Sequence, residues 1–316
     1  MNEWIEIAEI RGGGLVFAQH LRELGVTRSL VDRALRRREL YRVRHGIYAR
    51  PPVATREGRA DHHRNLVRAL LAVAPDHTVS HLSAAAMHRL PIIGEWPQRV
   101  DVVALDAAGG SSRVGFTAHR ASVRPETHII DGVAVTSLER TLVDVAATST
   151  LLVATVMLDS ALRSGLCAAE SISEELERVA PRYGRRRAEV AISFADGRSA
   201  SVGESLSRVR IHQLDFAAPE LQVHVSTQRG EFDVDFGWTD AALFGEFAGF
   251  GKYAREEYLE GETPAQAVVR EKSREDAIRA KTKRAFVRWG WDDAFSPRRF
   301  ERLLREGGVP PRRRTS

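Results

Sequence analysis

Two acidic residues, Asp235 and Glu246, lie in a largely apolar stretch formed by residues 231–253. A buried carboxylate costs free energy unless another group compensates its charge. A divalent metal ion is one such group, because hard cations bind carboxylate oxygens and two acids on neighbouring strands can share one ion. One of the many arginines of the chain is another. The residues alone leave both interpretations open, a metal site or a buried ion pair.

The elements around the two acids follow from the spacing of the apolar residues. Residues 231–238 alternate in part, residues 241–247 are apolar except for Glu246, and the polar pair Thr239 and Asp240 separates the two runs. This pattern predicts a β-hairpin or two adjacent strands. The flanking sequence predicts a helix over 201–214, a strand over 221–226, a charged helix over 264–280 and a strand over 285–289.

About the last third of the chain resembles a known nuclease family. The predicted order helix, strand, strand, strand, helix, strand, with the segments GESLSR, VDFGW, GEFAG and EKSREDAIRA, is similar to the DUF559 or Vsr-like branch of the PD-(D/E)XK nucleases. The resemblance implies a restriction-endonuclease-like αβββαβ core over residues 198–306 and hydrolysis of DNA phosphodiesters. It also implies that Asp235 and Glu246 are catalytic and that Glu204, Asp235 and Glu246 bind Mg²⁺ or Mn²⁺.

Position 248 departs from this family pattern. Related sequences carry an aspartate there and the wider superfamily a lysine, whereas this chain has Ala248, which offers neither a metal ligand nor a proton donor. Lys252 is the expected substitute, reaching back to the site as a catalytic residue, and Lys272 on the charged helix is a second candidate. If the site is inactive, no cofactor is expected. Arg274, Glu275 and Asp276 are predicted to form a solvated face with a local ion pair rather than a catalytic set.

The first 50 residues predict a small helical unit followed by a hairpin. A helix over residues 17–24 ends at Gly25, and Thr27 is a favourable N-cap for a further helix. Residues 40–50 then alternate as two strands with a turn near Gly46. Helix, short turn, helix and hairpin is the order of a winged helix-turn-helix.

Six arginines of this N-terminal unit are predicted to bind double-stranded DNA. They are Arg28, Arg33, Arg36 and Arg37 on the further helix, and Arg42 and Arg44 on the hairpin. A basic helix of this kind can enter the major groove, and basic side chains on a hairpin can neutralise nearby phosphates. The alternative is a helical adaptor with an exposed basic face.

The N-terminal half resembles a second family. Residues 15–50 look like the winged-helix domain of the AbiEi family of type IV toxin-antitoxin antitoxins, and the segments VSHLSAAAMHRLPI and HIIDGVAVTSLERTLVDVA resemble the middle region that follows it. The resemblance implies a winged helix-turn-helix DNA-binding domain over 1–52 and an α/β middle domain over 53–180. It also implies sequence-specific DNA binding and, by analogy, an antitoxin role with a cognate toxin as partner. Within the middle region, Arg140 and Asp144 are one helical turn apart and predict an ion pair.

Composition describes an ordinary globular protein. Hydrophobic residues make up 43% and charged residues 28%, and the 316 residues are enough for two or three domains with workable cores. The net charge is only +5, but arginine-dense stretches occur at 33–50, 178–187 and 298–314, which favours a polyanionic partner. A single cysteine, Cys167, excludes an internal disulfide. No apolar run is long enough to span a bilayer, and acids stand where a signal peptide carries lysines, so no membrane partner and a cytoplasmic location are expected.

The sequence therefore predicts a mixed α/β (α+β) multidomain protein with two functional hypotheses. In the first, the chain is a DNA-binding protein whose C-terminal domain is a Mg²⁺-dependent DNA endonuclease. In the alternative, it is an antitoxin-like transcriptional regulator of a type IV toxin-antitoxin system, with a catalytically degenerate nuclease domain. The sequence carries no signal for the oligomeric state.

Overall fold

The structure is a computed structural model that describes residues 2–53, 55–105, 115–249 and 264–313. Within these residues the chain is a mixed α+β protein, as predicted, with thirteen α-helices and eleven strands. It divides into two compact units. The first comprises Met1–Ser149 with Ala169–Glu189, and the second comprises Thr150–Ala168 with Val190–Ser316. None of the helices that the structure describes is both long enough and apolar enough to cross a membrane.

The N-terminal part of the first unit alternates short helices and strands. Its elements are α1 (Glu3–Arg11), β1 (Val16–Phe17), α2 (Ala18–Glu23), α3 (Arg28–Arg36), β2 (Tyr41–Arg44) and β3 (Ile47–Ala49). The strands form a three-stranded sheet in the order β1-β3-β2. Gly25, after α2, and Gly46, in the β2–β3 turn, both have positive φ, a conformation that glycine adopts without strain. A small core that includes Ile5, Leu21 and Val31 lies beneath α3.

The rest of the first unit contains two strand pairs and four helices. The elements are α4 (Arg56–Leu71), α5 (His81–Met87), β4 (Val100–Ala104), β5 (Phe116–Arg120), β6 (Thr127–Ile130), β7 (Val133–Thr136), α6 (Leu138–Thr148) and α8 (Ala169–Val179), with α9 (Arg185–Phe194) beginning here. Val79 bridges β4 and β7 and joins the two strand pairs. Ser137 caps α6, and Arg140 Nε lies 2.9 Å from Asp144 Oδ1, so the predicted ion pair is confirmed.

The second unit contains, from α10 to β11, the order helix, three strands, helix, strand. Its elements are α7 (Leu151–Arg163), α10 (Val202–Gln213), β8 (Glu220–Thr227), β9 (Gly230–Trp238), β10 (Leu243–Phe247), α11 (Pro264–Thr282), β11 (Ala285–Trp289), α12 (Trp291–Phe295) and α13 (Pro297–Glu306). The sheet order is β11-β10-β9-β8. β8, β9 and β10 are antiparallel neighbours, whereas β10 and β11 are parallel and are joined through α11.

A buried ion pair fixes α10 in the second unit. Arg208 Nη2 lies 2.9 Å from both carboxylate oxygens of Asp159, which is on α7. The same carboxylate accepts hydrogen bonds from the hydroxyl of Ser205 and from the backbone N–H of Asp196, at 2.8 and 2.7 Å. Four donor contacts thus compensate a side chain that is 0% exposed. The N-terminal turn of α10 is therefore held in one position relative to α7.

We expect Asp159→Ala to destabilise the second unit by about 3–5 kcal/mol, because it leaves the guanidinium of Arg208 buried without its partner. Urea denaturation followed by tryptophan fluorescence measures this change. The matched control is Arg305→Ala, which removes an exposed pair with Glu301 one helical turn away and is expected to cost less than about 1 kcal/mol. Equal costs for the two variants would contradict the anchoring role of Asp159.

Candidate functional site

Three acids from three elements meet at one end of the β9–β10 hairpin. Asp235 is on β9 and Glu246 is on β10, and these strands pair Phe236 with Gly245. Continuing that register places Asp235 opposite Glu246, on the same face of the sheet. Glu204 comes from the first turn of α10. Its charge and that of Glu246 both act on Asp235.

Local packing brings Glu204 to the sheet. Ser201 caps α10 by accepting a hydrogen bond from the backbone N–H of Glu204. At Gly203 a β-carbon would lie 2.0 Å from the ring of Phe247 on β10, so only glycine allows this close approach. Glu204 Oε2 accepts hydrogen bonds from the backbone N–H of Ala200 and from Gln222 Nε2, each at 2.8 Å. Burial nevertheless raises the pKa of Glu204.

Gln222 contributes to the site from β8 and was not identified from the sequence. Its φ is +50°, a left-handed conformation that non-glycine residues rarely adopt inside a strand. The β8–β9 pairing runs from Leu221 opposite Phe236 to Val223 opposite Val234, which brings Gln222 level with Asp235. Strained backbone of this kind persists where the surroundings fix it, and functional sites are common locations. No residue pattern in the strand signals this conformation.

Asp235 is the least compensated of the three acids. Among the described residues, its Oδ2 accepts one hydrogen bond, from the backbone N–H of Phe247 at 2.8 Å. Burial, followed by the negative charge of Glu204, raises the pKa of Asp235 from 3.8 to about 7, and the charge of Arg274 opposes this shift. The side chain therefore favours an added proton or cation at neutral pH.

Glu246 is compensated by two arginines. Arg274 Nη1 lies 2.6 Å from Glu246 Oε1, and Arg288 Nη2 lies 2.7 Å from Glu246 Oε2. Arg274 is on α11, and Arg288 is on β11 directly across from Glu246 in the parallel register. Of the two interpretations of buried acids, the arginine pair thus applies to Glu246 and leaves Asp235 without an ion-pair partner among the described residues.

The prediction for Arg274 needs correction. Arg274 is not confined to a solvated helix face, because it reaches the acid cluster as well as its neighbour Glu271, 3.0 Å away. The signal that could have shown this is its spacing from Ile278, which is fully buried four residues later on the same face of α11. Lys272 is exposed on that helix. Lys252 lies outside the described residues.

A hard cation fits two of the three carboxylates. Asp235 Oδ1 and Glu204 Oε1 receive no hydrogen bond from any described residue, whereas both oxygens of Glu246 are bound to arginine. Mg²⁺ often takes only one or two protein carboxylates and completes its shell with water. Three His, Cys, Asp or Glu side chains grouped to hold a metal do not occur within residues 2–53, 55–105, 115–249 and 264–313. Glu204 and Asp235 therefore suit Mg²⁺, and Glu246 does not in this arrangement.

The predicted DNA-binding arginines lie in the first unit and differ from the other arginine clusters. Three of them are exposed on α3, Arg37 is exposed as its C-cap, and Arg42 is exposed on β2 with its guanidinium 5.9 Å from the ring of Tyr48. None of the six forms an ion pair with a described residue. Arg44 differs from the rest, because it is half-buried and its Nη1 atom is enclosed with no hydrogen-bond partner among the residues described.

A second polar cluster lies in the first unit, where His81 and Asp144 are buried and His119 is half-buried. The rings of His81 and His119 stack with their centroids 3.6 Å apart, and His81 Nδ1 is 3.0 Å from the hydroxyl of Ser80 and 3.8 Å from Asp144. Burial raises the pKa of Asp144 to about 6 and holds the pKa of His81 well below its usual range. These groups therefore join α5, β5 and α6 as a largely buried polar network.

Comparison with known proteins finds similar proteins but no protein family to which the chain can be assigned. No protein-family model matches the chain. Two uncharacterised proteins of Mycobacterium tuberculosis, MT2308 of strain CDC 1551 and Rv2248 of strain H37Rv, are each 37% identical over 91 residues. The match covers 28% of this chain and 34% of each relative, so the chain spans about a third of their length. The crystal structure of the Rv2827c protein from Mycobacterium tuberculosis is 16% identical, with a TM-score of 0.35 over 61% of this chain and 77% of that chain.

We expect Asp235→Asn to stabilise the protein at about pH 8 and to have little effect below about pH 4. The folded protein binds the Asp235 proton more tightly than the unfolded chain does, so this contribution to stability is present at low pH and is lost as the pH rises through about 7. Asparagine cannot ionise, and it can still accept the Phe247 hydrogen bond. Its advantage at pH 8 is about 2 kcal/mol after allowance for partial exposure.

Thermal denaturation as a function of pH and of Mg²⁺ measures both effects. Millimolar Mg²⁺ is expected to raise the Tm of the wild type and not that of Asp235→Asn, because only a ligand that binds the folded state stabilises it. Asp240→Asn, an exposed change in the same hairpin, is the control. An equal response to Mg²⁺ in all three proteins would remove Asp235 from the metal site.

Proposed function

We propose that this chain is a DNA-binding protein and that its second unit is a Mg²⁺-dependent DNA endonuclease. The observation that carries the proposal is the pair of carboxylates of Glu204, which is buried, and Asp235, which is half-buried. Each has one oxygen that receives no hydrogen bond from a described residue, and neither forms an ion pair with one. A hard cation bound at their free oxygens would offset the electrostatic repulsion between the two carboxylates. Protein sites that hydrolyse phosphodiesters use Mg²⁺ held in this way.

We propose that the first unit binds DNA and so delivers the second unit to its substrate. The order α1, β1, α2, α3 and the β2–β3 hairpin supports a winged helix-turn-helix, with α3 as the helix that enters the major groove. Exposed arginines without acidic partners are free to neutralise phosphates, and the counterions they release favour binding. The partner is therefore double-stranded DNA, and a cytoplasmic location follows as part of the same proposal.

The second unit supports the chemistry through the placement of its side chains. Its order helix, three strands, helix, strand supports a restriction-endonuclease-like core that brings Glu204, Asp235 and Glu246 together. When bound, Mg²⁺ neutralises charge on the phosphate and activates water. Hydrolysis joins the water oxygen to phosphorus and breaks one phosphorus–ester oxygen bond, and the leaving oxygen takes up a proton. Gln222 and the N–H of Phe247 hold the two carboxylates in orientation.

A specific observation also favours the alternative. Both oxygens of Glu246 are bound by Arg274 and Arg288, and position 248 is alanine, so the family pattern is incomplete at two places. In this case the chain is an antitoxin-like transcriptional regulator whose nuclease-like unit is inactive and binds no metal. DNA remains a partner in this alternative, and a cognate toxin is the second.

We expect the double variant Arg33→Ala/Arg36→Ala to weaken binding to duplex DNA by at least about tenfold. Each lost phosphate contact should also reduce the slope of log K against log salt concentration by about 1. Fluorescence anisotropy with a labelled duplex, titrated at several salt concentrations, measures both quantities. The loss of affinity is expected because neither Arg33 nor Arg36 forms an ion pair with an acid in the described part of the chain.

The matched control is Arg178→Ala/Arg185→Ala, which removes the same charge from another arginine-rich segment. Arg178 is 2.6 Å from Glu175, and Arg185 is 2.5 Å from Glu177, so their charges are already compensated. This control is expected to change affinity and salt dependence little. If both doubles weaken binding equally, net charge rather than α3 determines the affinity.

We expect the purified protein to nick supercoiled plasmid DNA in Mg²⁺ or Mn²⁺ and not in EDTA. Asp235→Asn should reduce the rate by about 100-fold or more, since it removes a ligand charge from the metal site. Asp240→Asn, exposed in the same hairpin, should cleave like the wild type. Gel analysis of nicked and linear products measures the rates.

The outcome separates the two functions. Cleavage that persists in Asp235→Asn at the wild-type rate would show a contaminating nuclease or a different site. A wild type that binds duplex DNA and never cleaves it in either metal supports the regulator and excludes the endonuclease.

A further inference from the structure

Charge at the acid cluster poses a problem for a DNA substrate. Glu204, Asp235 and Glu246 are joined by Glu271 and Glu275 on α11, which contact the arginines bound to Glu246. A phosphodiester carries a negative charge of its own and is repelled by carboxylates at short range. One divalent cation offsets part of this charge, so a fixed positive group near the phosphate is also needed. Ala248 cannot supply it.

Arg274 is positioned as this group. Its Nη1 atom is shared between Glu246 Oε1 and Glu271 Oε1, at 2.6 and 3.0 Å, and its Nη2 atom donates to the backbone carbonyl of Asp233 at 2.6 Å. These contacts fix the plane of the guanidinium, while 21% of the side chain remains exposed. The charge of Arg274 is close enough to Asp235 to oppose the rise in its pKa.

Arg288 is less suited to bind a phosphate, although it also contacts Glu246. Its Nη2 atom is within 2.6–3.1 Å of three carboxylates, those of Glu246, Glu271 and Glu275. Three acids around one guanidinium leave little positive charge for a further anion. Arg288 therefore acts as a partner for the acids, and Arg274 has fewer acids to satisfy.

We propose that Arg274 binds a non-bridging oxygen of the DNA phosphate at this site and that Glu246 serves as its anchor rather than as a metal ligand. The inference rests on the proposed function of the second unit. A guanidinium presents several N–H donors in a fixed plane, which suits a phosphate oxygen. Glu246 and the Asp233 carbonyl then hold that plane in place before DNA arrives.

The test compares Arg274→Gln and Arg274→Lys with the control Arg279→Gln. Arg279 is on the same helix and pairs with Glu275 at 2.6 Å, and it forms no ion pair with Glu204, Asp235 or Glu246 in the part of the chain that the structure describes. In single-turnover cleavage with Mg²⁺ we expect Arg274→Gln to be slowed about 100-fold or more, Arg274→Lys to keep part of the activity and the control to be unchanged. A wild-type rate for Arg274→Gln would overturn the assignment.

Calorimetry with Mn²⁺ and no DNA distinguishes phosphate binding from a structural role. Arg274→Gln removes a nearby positive charge and frees Glu246 Oε1, so Mn²⁺ should bind as tightly as in the wild type or more tightly. If Arg274→Gln loses both Mn²⁺ binding and cleavage, Arg274 only positions the carboxylates, and the proposal is overturned.

Measuring DNA affinity in Ca²⁺ tests the Arg274 phosphate contact independently of the proposed endonuclease activity. Arg274→Gln should reduce the slope of log K against log salt concentration by about 0.9, and Arg279→Gln should not. If the wild type never cleaves and this slope still falls, the phosphate contact stands and the endonuclease fails. If the wild type cleaves and neither slope nor rate changes in Arg274→Gln, the assignment of Arg274 alone is overturned.

Discussion

The ion pairs between Glu246 and the arginines Arg274 and Arg288 connect the three elements on which the candidate site depends. Glu246 is on β10, and its partners come from the crossover helix α11 and from the parallel strand β11. A buried carboxylate with one partner removed costs several kcal/mol, so β10, α11 and β11 are coupled through this one side chain. The same contacts determine the electrostatics of the site. Burial and then the negative charge of Glu204 raise the pKa of Asp235, and the charge of Glu246, which is paired with arginine, adds less to this rise.

Arginine content alone does not distinguish surfaces that bind DNA from surfaces that stabilise the fold. On α8 and α9 the arginines have glutamates three, four or eight residues away, and the structure pairs them. On α3, Asp32 is four residues from both Arg28 and Arg36, yet no ion pair forms between them among the described residues. The surfaces therefore differ in whether their arginines form ion pairs with acids. The spacing of arginines and acids in the sequence predicts the ion pairs of α8 and α9, whereas on α3 the same kind of spacing gives none among the described residues.

Much of the second unit could be predicted from local patterns. β11 was predicted with its observed limits, and the two runs around the polar pair Thr239 and Asp240 were predicted as a hairpin or two adjacent strands, which the structure forms as β9 and β10. The N-terminal turn of α10 was predictable because Ser201 is a favourable cap. Arg274 and Gln222 were missed for different reasons. The Arg274–Glu246 pair spans 28 residues and needs the crossover to form, and the positive φ of Gln222 depends on packing around one strand position.

The arrangement of the three acids narrows what the second unit can be. If all three were bound to arginine, the cluster would be a closed ion-pair network with no capacity for a cation. If none were, mutual repulsion would raise every pKa and the sheet edge would be destabilised. Here one acid is committed to arginine and two are left with a free oxygen each. A cation therefore competes with a proton at Asp235 and not with an arginine. For this reason the choice between the two proposed functions depends on Glu204 and Asp235 more than on Ala248, whose missing charge the proposed phosphate contact of Arg274 would offset.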